Sequence, residues 1–246
     1  NNFDDAKNTL EKLKIFDLFV FPQISMNNKG QSVKHIIDKC QLRPENVLFI
    51  DDNHTNREEV KHFNKNIMVE DENFIFRIFN DGRFKNLKEK NRLEDYKILE
   101  KKDADKMIKY DNDISTFLKD SDIRINLQRI YDNNNKIIND RVFELINRTN
   151  QLNYTKIRLT QKEVETLLND KKYENYIVLG KDLYANYGNI GFISILNNEI
   201  IHYCFSCRLL GTNIENYIWK FLEHKKINIV GNVTTPLNKD INIDWI

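Results

Sequence analysis

Hydrophobic and polar positions follow two different periods along the first 80 residues, which predicts helices that alternate with strands. Helical spacing covers residues 3–13, 32–40 and 57–64, and short apolar runs predict strands over residues 18–21, 47–50 and 67–69. Strands that are separated by helices form parallel sheets with right-handed crossovers. The pattern therefore predicts an α/β domain over residues 1–80.

The pattern changes after residue 80. Residues 81–113 interleave acidic and basic side chains around a broken helical stripe, which predicts a connecting helical segment with a solvated face. The pattern over residues 114–246 predicts a second domain that contains both helices and strands. The helices are predicted over 135–148, 161–168 and 214–224, and the strands over 123–130, 176–179, 191–196, 199–208 and 227–230. Asn197-Asn198 is typical of a hairpin turn between two of these strands.

Composition excludes some classes of partner. The chain has 246 residues with 38 basic and 37 acidic side chains, so no net field favours nucleic acid or an anionic membrane. No apolar run approaches the roughly 20 residues of a membrane span. Three cysteines give no disulfide framework, which is typical of a reduced compartment. We therefore predict a cytoplasmic protein without a nucleic-acid or membrane partner.

Two adjacent carboxylates, Asp51 and Asp52, end the apolar run at residues 47–50. Open α/β sheets bind ligands at the carboxyl ends of their strands, and Mg²⁺ is commonly held by one or two carboxylates and a substrate phosphate. Neighbouring strand residues point to opposite faces, so at most one of the two aims into a given pocket. The alternative is that Asp52 and Asn53 only cap the next helix.

The acidic pair follows a lysine, Lys29, and a predicted helix. This order resembles the second half of a haloacid-dehalogenase (HAD) type phosphotransferase domain. The resemblance implies that Lys29 neutralises a phosphoryl group, that Asp51 or Asp52 ligates Mg²⁺ and that Arg57 supports the acidic loop. The DxDxT-like strand that carries the nucleophilic Asp in such domains does not occur here, so we expect the chain to begin midway through that domain and to be inactive alone. The alternative for Lys29 is a solvated lysine.

Three further strings are specific. They are RTNQLNYTKIRLT at residues 148–160, DLYANYGNIGFISIL at 182–196 and SCRLLGTNIE at 206–215. Together with FIDDN, in this order, they resemble the FkbH-like family, in which a HAD-type domain precedes a domain with a GNAT-like (N-acetyltransferase-like) fold. The resemblance covers nearly the whole chain and implies a partial HAD-type parallel-sheet domain followed by a GNAT-like α+β domain.

The family resemblance also implies a function. Its members are described as dephosphorylating a phosphorylated three-carbon acid, such as 1,3-bisphosphoglycerate, and loading the glyceryl unit on an acyl carrier protein thiol in polyketide biosynthesis. The implied cofactors are Mg²⁺ and the carrier's phosphopantetheine, and the implied scheme is covalent catalysis. Two alternatives stay open: a non-catalytic module that binds a carrier protein, and a GNAT-type acyltransferase that uses acyl-CoA or an acyl carrier protein.

The turn that contains Arg208 and Gly211 lies between a predicted strand and a predicted helix. Backbone N–H groups at such a turn converge on anions. In GNAT folds the corresponding turn cradles the pyrophosphate of coenzyme A, which assigns Arg208 and Gly211 to a phosphate of the carrier arm. Asn213 stands where the usual pattern has Gly or Ala. The alternative for Gly211 is a purely structural role.

Other candidates are polar or small. Arg148, Asn150 and Asn153 either line a substrate cleft or hold their loop through side chain–backbone bonds. Cys207 is either a small core hydrophobe or an acyl-accepting thiol. Gly188 and Gly191 predict a bulge or a close backbone approach.

Overall fold

The first helix shows how local chemistry sets the elements in the computed structural model, which describes residues 2–84, 92–131 and 135–246. Helix α1 (Phe3–Lys12) begins after Asn2, whose side chain accepts the Asp4 backbone N–H at 3.1 Å. Asp4 and Asp5 lie in its first turn, where acidic side chains favour the helix dipole. Asparagine caps recur at the starts of later helices.

The chain divides into two compact units, Asn1–Ala104 and Asp105–Ile246. The first unit continues with α2 (Lys29–Cys40), β1 (Leu48–Ile50), α3 (His54–Phe63) and β2 (Met68–Glu70). Strands β1 and β2 pair in parallel, with Leu48 opposite Met68. These elements confirm the helices predicted over 3–13, 32–40 and 57–64 and the strands predicted over 47–50 and 67–69, with bounds that move by up to three residues.

The strand predicted over residues 18–21 is wrong. A 3₁₀ turn covers Phe16–Leu18, and Phe21 has a φ of +46°. The Phe21 backbone N–H donates to the Glu100 carboxylate at 2.6 Å, and the Phe21 side chain is buried. The apolar run thus packs into the core without joining a sheet, because a left-handed residue with a side-chain partner does not continue a strand ladder.

The core of the first unit lies between its helices and its small sheet. Ile37, Val60 and Ile67 form a buried cluster, against which Val47 and Phe49 pack from the β1 side. Gly30 allows α2 to approach α3 closely, because a Cβ on this residue would lie 2.5 Å from Phe63 Cδ2. Helix α2 and the Asp51–Asp52 loop are therefore both placed by α3.

Helix α4 (Leu93–Tyr110) falls in the segment for which a connecting helix is predicted, and the unit boundary lies within it. Residues 85–91 of that predicted segment lie outside the described residues. Helix α5 (Ile114–Asp120) follows and is capped by Asp113, which accepts the backbone N–H groups of Ser115 and Thr116.

The second unit contains a mixed five-stranded sheet. Its strands are β3 (Arg124–Ile130), β4 (Glu174–Lys181), β5 (Asn186–Leu196), β6 (Glu199–Phe205) and β7 (Lys226–Ile227), and they lie side by side in this order. Neighbours are antiparallel except β6 and β7, which pair in parallel. Asn197 and Asn198 join β5 to β6 with φ values of +49° and +66°, so the predicted hairpin turn is confirmed.

Two predicted strands are too long. The strand predicted over 199–208 ends at Phe205, because the Ser206 side chain accepts the Arg208 backbone N–H and starts a 3₁₀ turn over Cys207–Leu209. The strand predicted over 227–230 is reduced to Lys226–Ile227. Cys207 and Arg208 are thus turn residues and not strand residues.

Three helices complete this unit: α6 (Lys136–Arg148), α7 (Gln161–Asn169) and α8 (Ile214–Phe221). Apolar residues of α6 and α7 pack on the sheet around Ile177, Phe192 and Cys204. Gly191 permits the predicted close approach, because a Cβ there would lie 2.7 Å from Phe205 Cδ1, and Gly188 has a φ of +63°.

A short extended segment, residues 152–154, pairs with the last residues of β6, on the side where β7 pairs only with its first two residues. The Phe205 N–H donates to the Leu152 carbonyl and the Tyr154 N–H donates to the Tyr203 carbonyl, both at 3.0 Å. The structure is thus mixed α/β, with one parallel two-stranded sheet and one mixed five-stranded sheet. Within the described residues no helix combines the length and apolar character needed to cross a membrane.

Candidate functional site

The acidic loop follows β1 directly. Asp51 Oδ1 accepts the Asn53 backbone N–H at 2.9 Å and the Asn56 Nδ2 group at 3.0 Å, so this oxygen shapes the turn into α3. Asn53 caps α3 by accepting the Thr55 N–H at 2.8 Å. The capping alternative thus applies to Asn53, whereas Asp52 is not a cap.

Arg57 supports the acidic loop, as expected. Its Nη1 group donates to the main-chain carbonyls of Asp51 at 2.7 Å and Asp52 at 2.9 Å. The Asp52 side chain is exposed and has no hydrogen-bond partner among the described residues. The loop is therefore fixed through its backbone, which leaves the Asp52 carboxylate open to an external ligand.

Lys29 is the first residue of α2 and not part of a loop before it, because Asn28 caps that helix by accepting the Gln31 N–H at 3.1 Å. The next N–H, that of Gly30, donates to Glu59 Oε1 on α3 at 2.6 Å. The Lys29 side chain is exposed and, within the described part of the chain, makes no ion pair with Asp51 or Asp52.

The donors of the acidic loop fit only part of a Mg²⁺ site. Mg²⁺ takes octahedral oxygen ligands, keeps several waters and is often held by one or two carboxylates plus phosphate. Asp52 and the second oxygen of Asp51 supply two such donors. In the described ranges no group of three His, Cys, Asp or Glu side chains is placed to hold a metal ion. A Mg²⁺ ion here would take its other ligands from water and a phosphorylated substrate.

In the second unit, Arg208 is held against Tyr187. Its Nε donates to Ser206 Oγ and its Nη2 donates to the Tyr187 carbonyl, both at 3.3 Å, and the guanidinium carbon lies 5.5 Å from the centre of the Tyr187 ring. Gly211 is exposed with a φ of +81°, a conformation that favours glycine. The structure thus places Arg208 and Gly211 at the two ends of one turn.

The residues after that turn are covered by the C-terminal part of the chain. Trp245 Nε1 donates to the Thr212 carbonyl at 2.8 Å. The Asn216 side chain, on α8, accepts the Asn238 backbone N–H at 2.7 Å and donates to Asn213 Oδ1 at 3.1 Å. The start of α8 is therefore screened from solvent by residues that follow β7.

The loop after α6 contains the other polar candidates. Asn153 is buried and satisfied at both ends, because it donates to the Ile146 carbonyl at 3.1 Å and accepts the Lys156 N–H at 2.9 Å. Asn153 therefore holds the loop. Arg148 is exposed and lies 3.5 Å from Glu144, and Asn150 is exposed with its carbonyl bonded to the Lys156 side chain.

The structure brings this loop to Cys207. Burial raises the pKa of the Cys207 thiol, and the backbone N–H groups of Leu152, Gln151 and Asn150, together with the Lys156 ammonium, oppose that rise. The thiol is half-buried, whereas Cys40 and Cys204 are fully buried. Two of the three sequence strings, residues 148–160 and 206–215, therefore lie together at the Cys207 thiol. No residue type in the sequence indicates this arrangement, since the groups that face the sulfur are mostly main-chain amides.

Glu215 is a functional candidate that the sequence patterns did not assign. Its side chain is 1% exposed, and neither carboxylate oxygen makes a hydrogen bond of normal geometry among the residues that the structure describes. Burial raises the pKa of Glu215, and the Glu215 N–H and the Thr235 side chain offset only part of this rise. An acidic residue inside the apolar run of residues 214–219 is the signal that could have identified it.

Comparison with known proteins adds one partial match. A family model described as "Protein of unknown function (DUF2608)" matches residues 24–79, less than a quarter of the chain. The matched range runs from the residues before α2 to the residues after β2 and contains the acidic loop. Nothing matches in the searches of curated proteins and of solved structures.

Proposed function

We propose that this protein is an FkbH-like transferase that dephosphorylates a three-carbon acid similar to 1,3-bisphosphoglycerate and loads the glyceryl unit on an acyl carrier protein thiol. The observation that carries the proposal is that the 150–152 loop pairs with the end of β6, through the Phe205 N–H to Leu152 carbonyl bond at 3.0 Å, and so lies beside Cys207. Both belong to strings that resemble the family, and together they place main-chain N–H donors around a thiol. In this proposal the first unit is part of a HAD-type domain and the second has a GNAT-like fold.

The acyl-transfer half is assigned to Cys207. Its sulfur attacks the carbonyl carbon of the acyl phosphate, a C–S bond forms, and the C–O bond to phosphate breaks as inorganic phosphate leaves with the electron pair. The thiol proton passes to solvent. The carrier thiol then attacks the thioester and returns Cys207 to its free form. Burial raises the pKa of this thiol overall, and the N–H donors and the nearby ammonium reduce that rise, so they are the groups that help to form the nucleophilic thiolate.

The removal of the second phosphate is assigned to the first unit. Asp52 and Asp51 are the residues that would hold Mg²⁺ at the end of β1, with Arg57 fixing their backbone. Bound there, the ion would supply Lewis-acid stabilisation of a phosphoryl group. Lys29 contributes a positive charge from the start of α2. No residue of the described part of the chain is assigned as the nucleophile of this step.

The carrier arm is assigned to the Arg208–Gly211 turn. Arg208 lies beside Cys207 in sequence, so a phosphate held at this turn would anchor the carrier arm in the same part of the unit as the thiol of Cys207. The exposed Arg148 and Asn150 are assigned to carrier or substrate binding in this proposal. Coenzyme A carries the same phosphopantetheine group, and the assay must therefore separate the two carriers.

The test is an intact-mass assay on the longest available form of the protein with Mg²⁺, 1,3-bisphosphoglycerate and holo carrier protein. We expect the carrier to gain the mass of one glyceryl unit, with loss of that gain in Cys207→Ser. Asp52→Asn should leave a phosphoglyceryl adduct, since acyl transfer does not need the first unit's carboxylates. Asp38→Asn, an exposed change on α2, serves as the control. If the carrier gains no mass in the reaction with the wild-type protein, the proposal is contradicted. A parallel reaction with coenzyme A shows whether the free cofactor replaces the carrier.

A non-catalytic carrier-binding module is the second candidate. One observation favours it: among the described residues no three potential ligands gather around the acidic loop, and one oxygen of Asp51 is already used in the turn. The same assay separates the two functions. Co-elution of an unmodified carrier with the protein supports the module.

A further inference from the structure

Residues 231–246, here called the C-terminal strap, contain no helix or strand and yet are fastened to the rest of the second unit. Hydrogen bonds connect the strap to the rest of the unit from Thr234 N to Gln151 O (3.3 Å), from Tyr154 Oη to Thr235 O (2.7 Å), from Asn216 Nδ2 to Pro236 O (3.4 Å), from Asn238 N to Asn216 Oδ1 (2.7 Å) and from Trp245 Nε1 to Thr212 O (2.8 Å). Asp244 also forms an exposed ion pair with Lys119 at 2.9 Å. A segment without helix or strand opens locally at a cost below that of global unfolding.

The strap covers a polar cluster at the start of α8. The Tyr154 hydroxyl donates to the Thr235 carbonyl of the strap at 2.7 Å, and the Tyr203 hydroxyl donates to the Glu215 carbonyl at 2.5 Å. Both tyrosine rings are fully buried and contact each other edge to face, with centroids 5.4 Å apart. The Glu215 carboxyl lies among these groups, and within the described part of the chain its two oxygens make no hydrogen bond of normal geometry, although the Thr235 side chain lies near enough to lower its pKa in part.

Among the described residues no cation lowers the pKa of Glu215. The titratable groups that face it are the phenols of Tyr154 and Tyr203, and burial together with Glu215 raises the pKa of each above its usual value of 10. Both phenols therefore stay neutral at any ordinary pH. From the strap only the Thr235 side chain contributes, and it offsets the effect of burial in part. A buried ionised carboxylate without a partner is strongly unfavourable, whereas the neutral acid is tolerated.

We propose that Glu215 is a proton-operated latch, which keeps the C-terminal strap closed over the start of α8 while the carboxyl is protonated and releases the strap when the carboxyl ionises. In the open state water reaches the carboxyl, and the desolvation that penalises the charge disappears. Opening of the strap and ionisation of Glu215 are therefore thermodynamically linked.

The direction of the pH dependence follows from linkage. Burial raises the pKa of Glu215 in the closed state above 4.5, so the closed state binds more protons than the open state. The stabilisation of the closed strap is complete below that value and is lost as pH rises through the closed-state pKa. A single proton changes the opening equilibrium by at most roughly tenfold per pH unit.

The latch itself does not depend on the proposed function. Its consequence does, because the strap's Trp245 and Asn238 cover residues that directly follow the Arg208–Gly211 turn, to which the carrier arm is assigned. If that assignment holds, rising pH gives the carrier arm better access to the turn.

The test is amide hydrogen exchange of the full chain, without carrier or substrate, between about pH 5 and pH 8. We compare wild type with Glu215→Gln, and follow the Thr234 and Asn238 amides and the Trp245 indole N–H. The wild-type exchange rate is divided by that of the variant at each pH, which removes the intrinsic pH dependence of exchange. We expect this ratio to rise with pH, by up to roughly tenfold per unit, and then to level off.

Two further variants make the result decisive. Glu223→Gln removes an exposed carboxylate just after α8 and should keep the wild-type pH dependence. Glu215→Met replaces the carboxyl with an apolar side chain of similar length, and gives the reference rate if the buried amide of Gln disturbs the fold. A wild-type to Glu215→Met ratio that stays constant across the same pH range would overturn the latch and would leave the proposed transferase activity untouched.

Discussion

Glu59 Oε1 accepts the backbone N–H of Gly30 at 2.6 Å, so a carboxylate on α3 satisfies a free N–H at the start of α2. The first N–H groups of a helix have no partner within the helix, and an acidic group there also favours the helix dipole. The bond fixes the start of α2 against α3, and with it the position from which the Lys29 side chain projects. It requires close contact of the two helices, which is possible because residue 30 has no side chain.

Gly30→Ala should destabilise the first unit. The new Cβ would lie 2.5 Å from Phe63 Cδ2 and 3.0 Å from the Glu59 carbonyl oxygen, so α2 must shift away from α3. We expect a loss of about 1–3 kcal/mol in the free energy of unfolding, measured by urea denaturation. Gly82→Ala is the control, since no atom lies within 4 Å of the position that its methyl group would take. When Phe63→Leu is combined with Gly30→Ala, it should recover part of the loss. If the free-energy changes of the two single variants simply add up in the double variant, the contact between residues 30 and 63 is contradicted.

Arg57→Lys should loosen the acidic loop. A single ammonium does not reproduce the guanidinium that donates to the carbonyls of Asp51 and Asp52 together, so about 1–2 kcal/mol of stability should be lost. Arg43→Lys, which changes an exposed arginine paired with Glu45 at 3.5 Å, should cost less than half as much. Thermal denaturation of the two variants checks this, and equal melting temperatures would show that Arg57 does not brace the loop.

Acid should destabilise the second unit through His202. Burial lowers the pKa of His202 to about 4, compared with 6.5 for an exposed histidine. The folded state thus binds fewer protons, so the stability from this group is complete above pH 6.5 and falls as pH drops toward 4. The loss attributable to His202 should reach about 3 kcal/mol. Urea denaturation at about pH 7.5 and about pH 4.5 should show a larger loss for wild type than for His202→Gln, and identical losses would contradict the buried neutral imidazole.

The three thiols should differ in reactivity. Burial raises the pKa of Cys40 to about 11 and that of Cys204 to about 12, and both side chains are inaccessible. Half-buried Cys207 should therefore react first with iodoacetamide, as measured by peptide mass spectrometry. Lys156→Ala should slow this reaction several-fold, because the ammonium favours the thiolate. Lys162→Ala on the exposed side of α7 should not, and a rate unchanged by Lys156→Ala would remove Lys156 from the site.

Local patterns account for much of the fold. The spacing of apolar residues predicts α1, α6 and α7 almost to their ends, and two asparagines at residues 197–198 are sufficient to predict the hairpin between β5 and β6. The failures have a common physical origin. Phe21 leaves the strand pattern because its N–H bonds to Glu100, 79 residues away, and such a partner is invisible in a local window.

The candidate site is predicted less completely for a related reason. Asp51, Asp52 and Arg57 are close in sequence, so their cooperation at the end of β1 follows from spacing. The contact between residues 150–152 and Cys207 depends on main-chain N–H groups, which every residue but proline has, so no residue type marks it. Glu215 carries a visible signal, an acid in an apolar helix, but its burial results from a segment that lies 20 residues further along the chain at Thr235.

The proposed thioester on Cys207 can be detected in the intact mass of the protein itself during the reaction. The longest available form is mixed with 1,3-bisphosphoglycerate in the absence of carrier protein, quenched in acid and compared with Cys207→Ser and Cys40→Ser. We expect a thioester adduct of a glyceryl or phosphoglyceryl unit on wild type and on Cys40→Ser, no adduct on Cys207→Ser, and discharge of the adduct when holo carrier is added. An adduct that persists on Cys207→Ser, or the absence of any adduct on wild type while the carrier is still loaded, would overturn the role of Cys207 as the acyl acceptor.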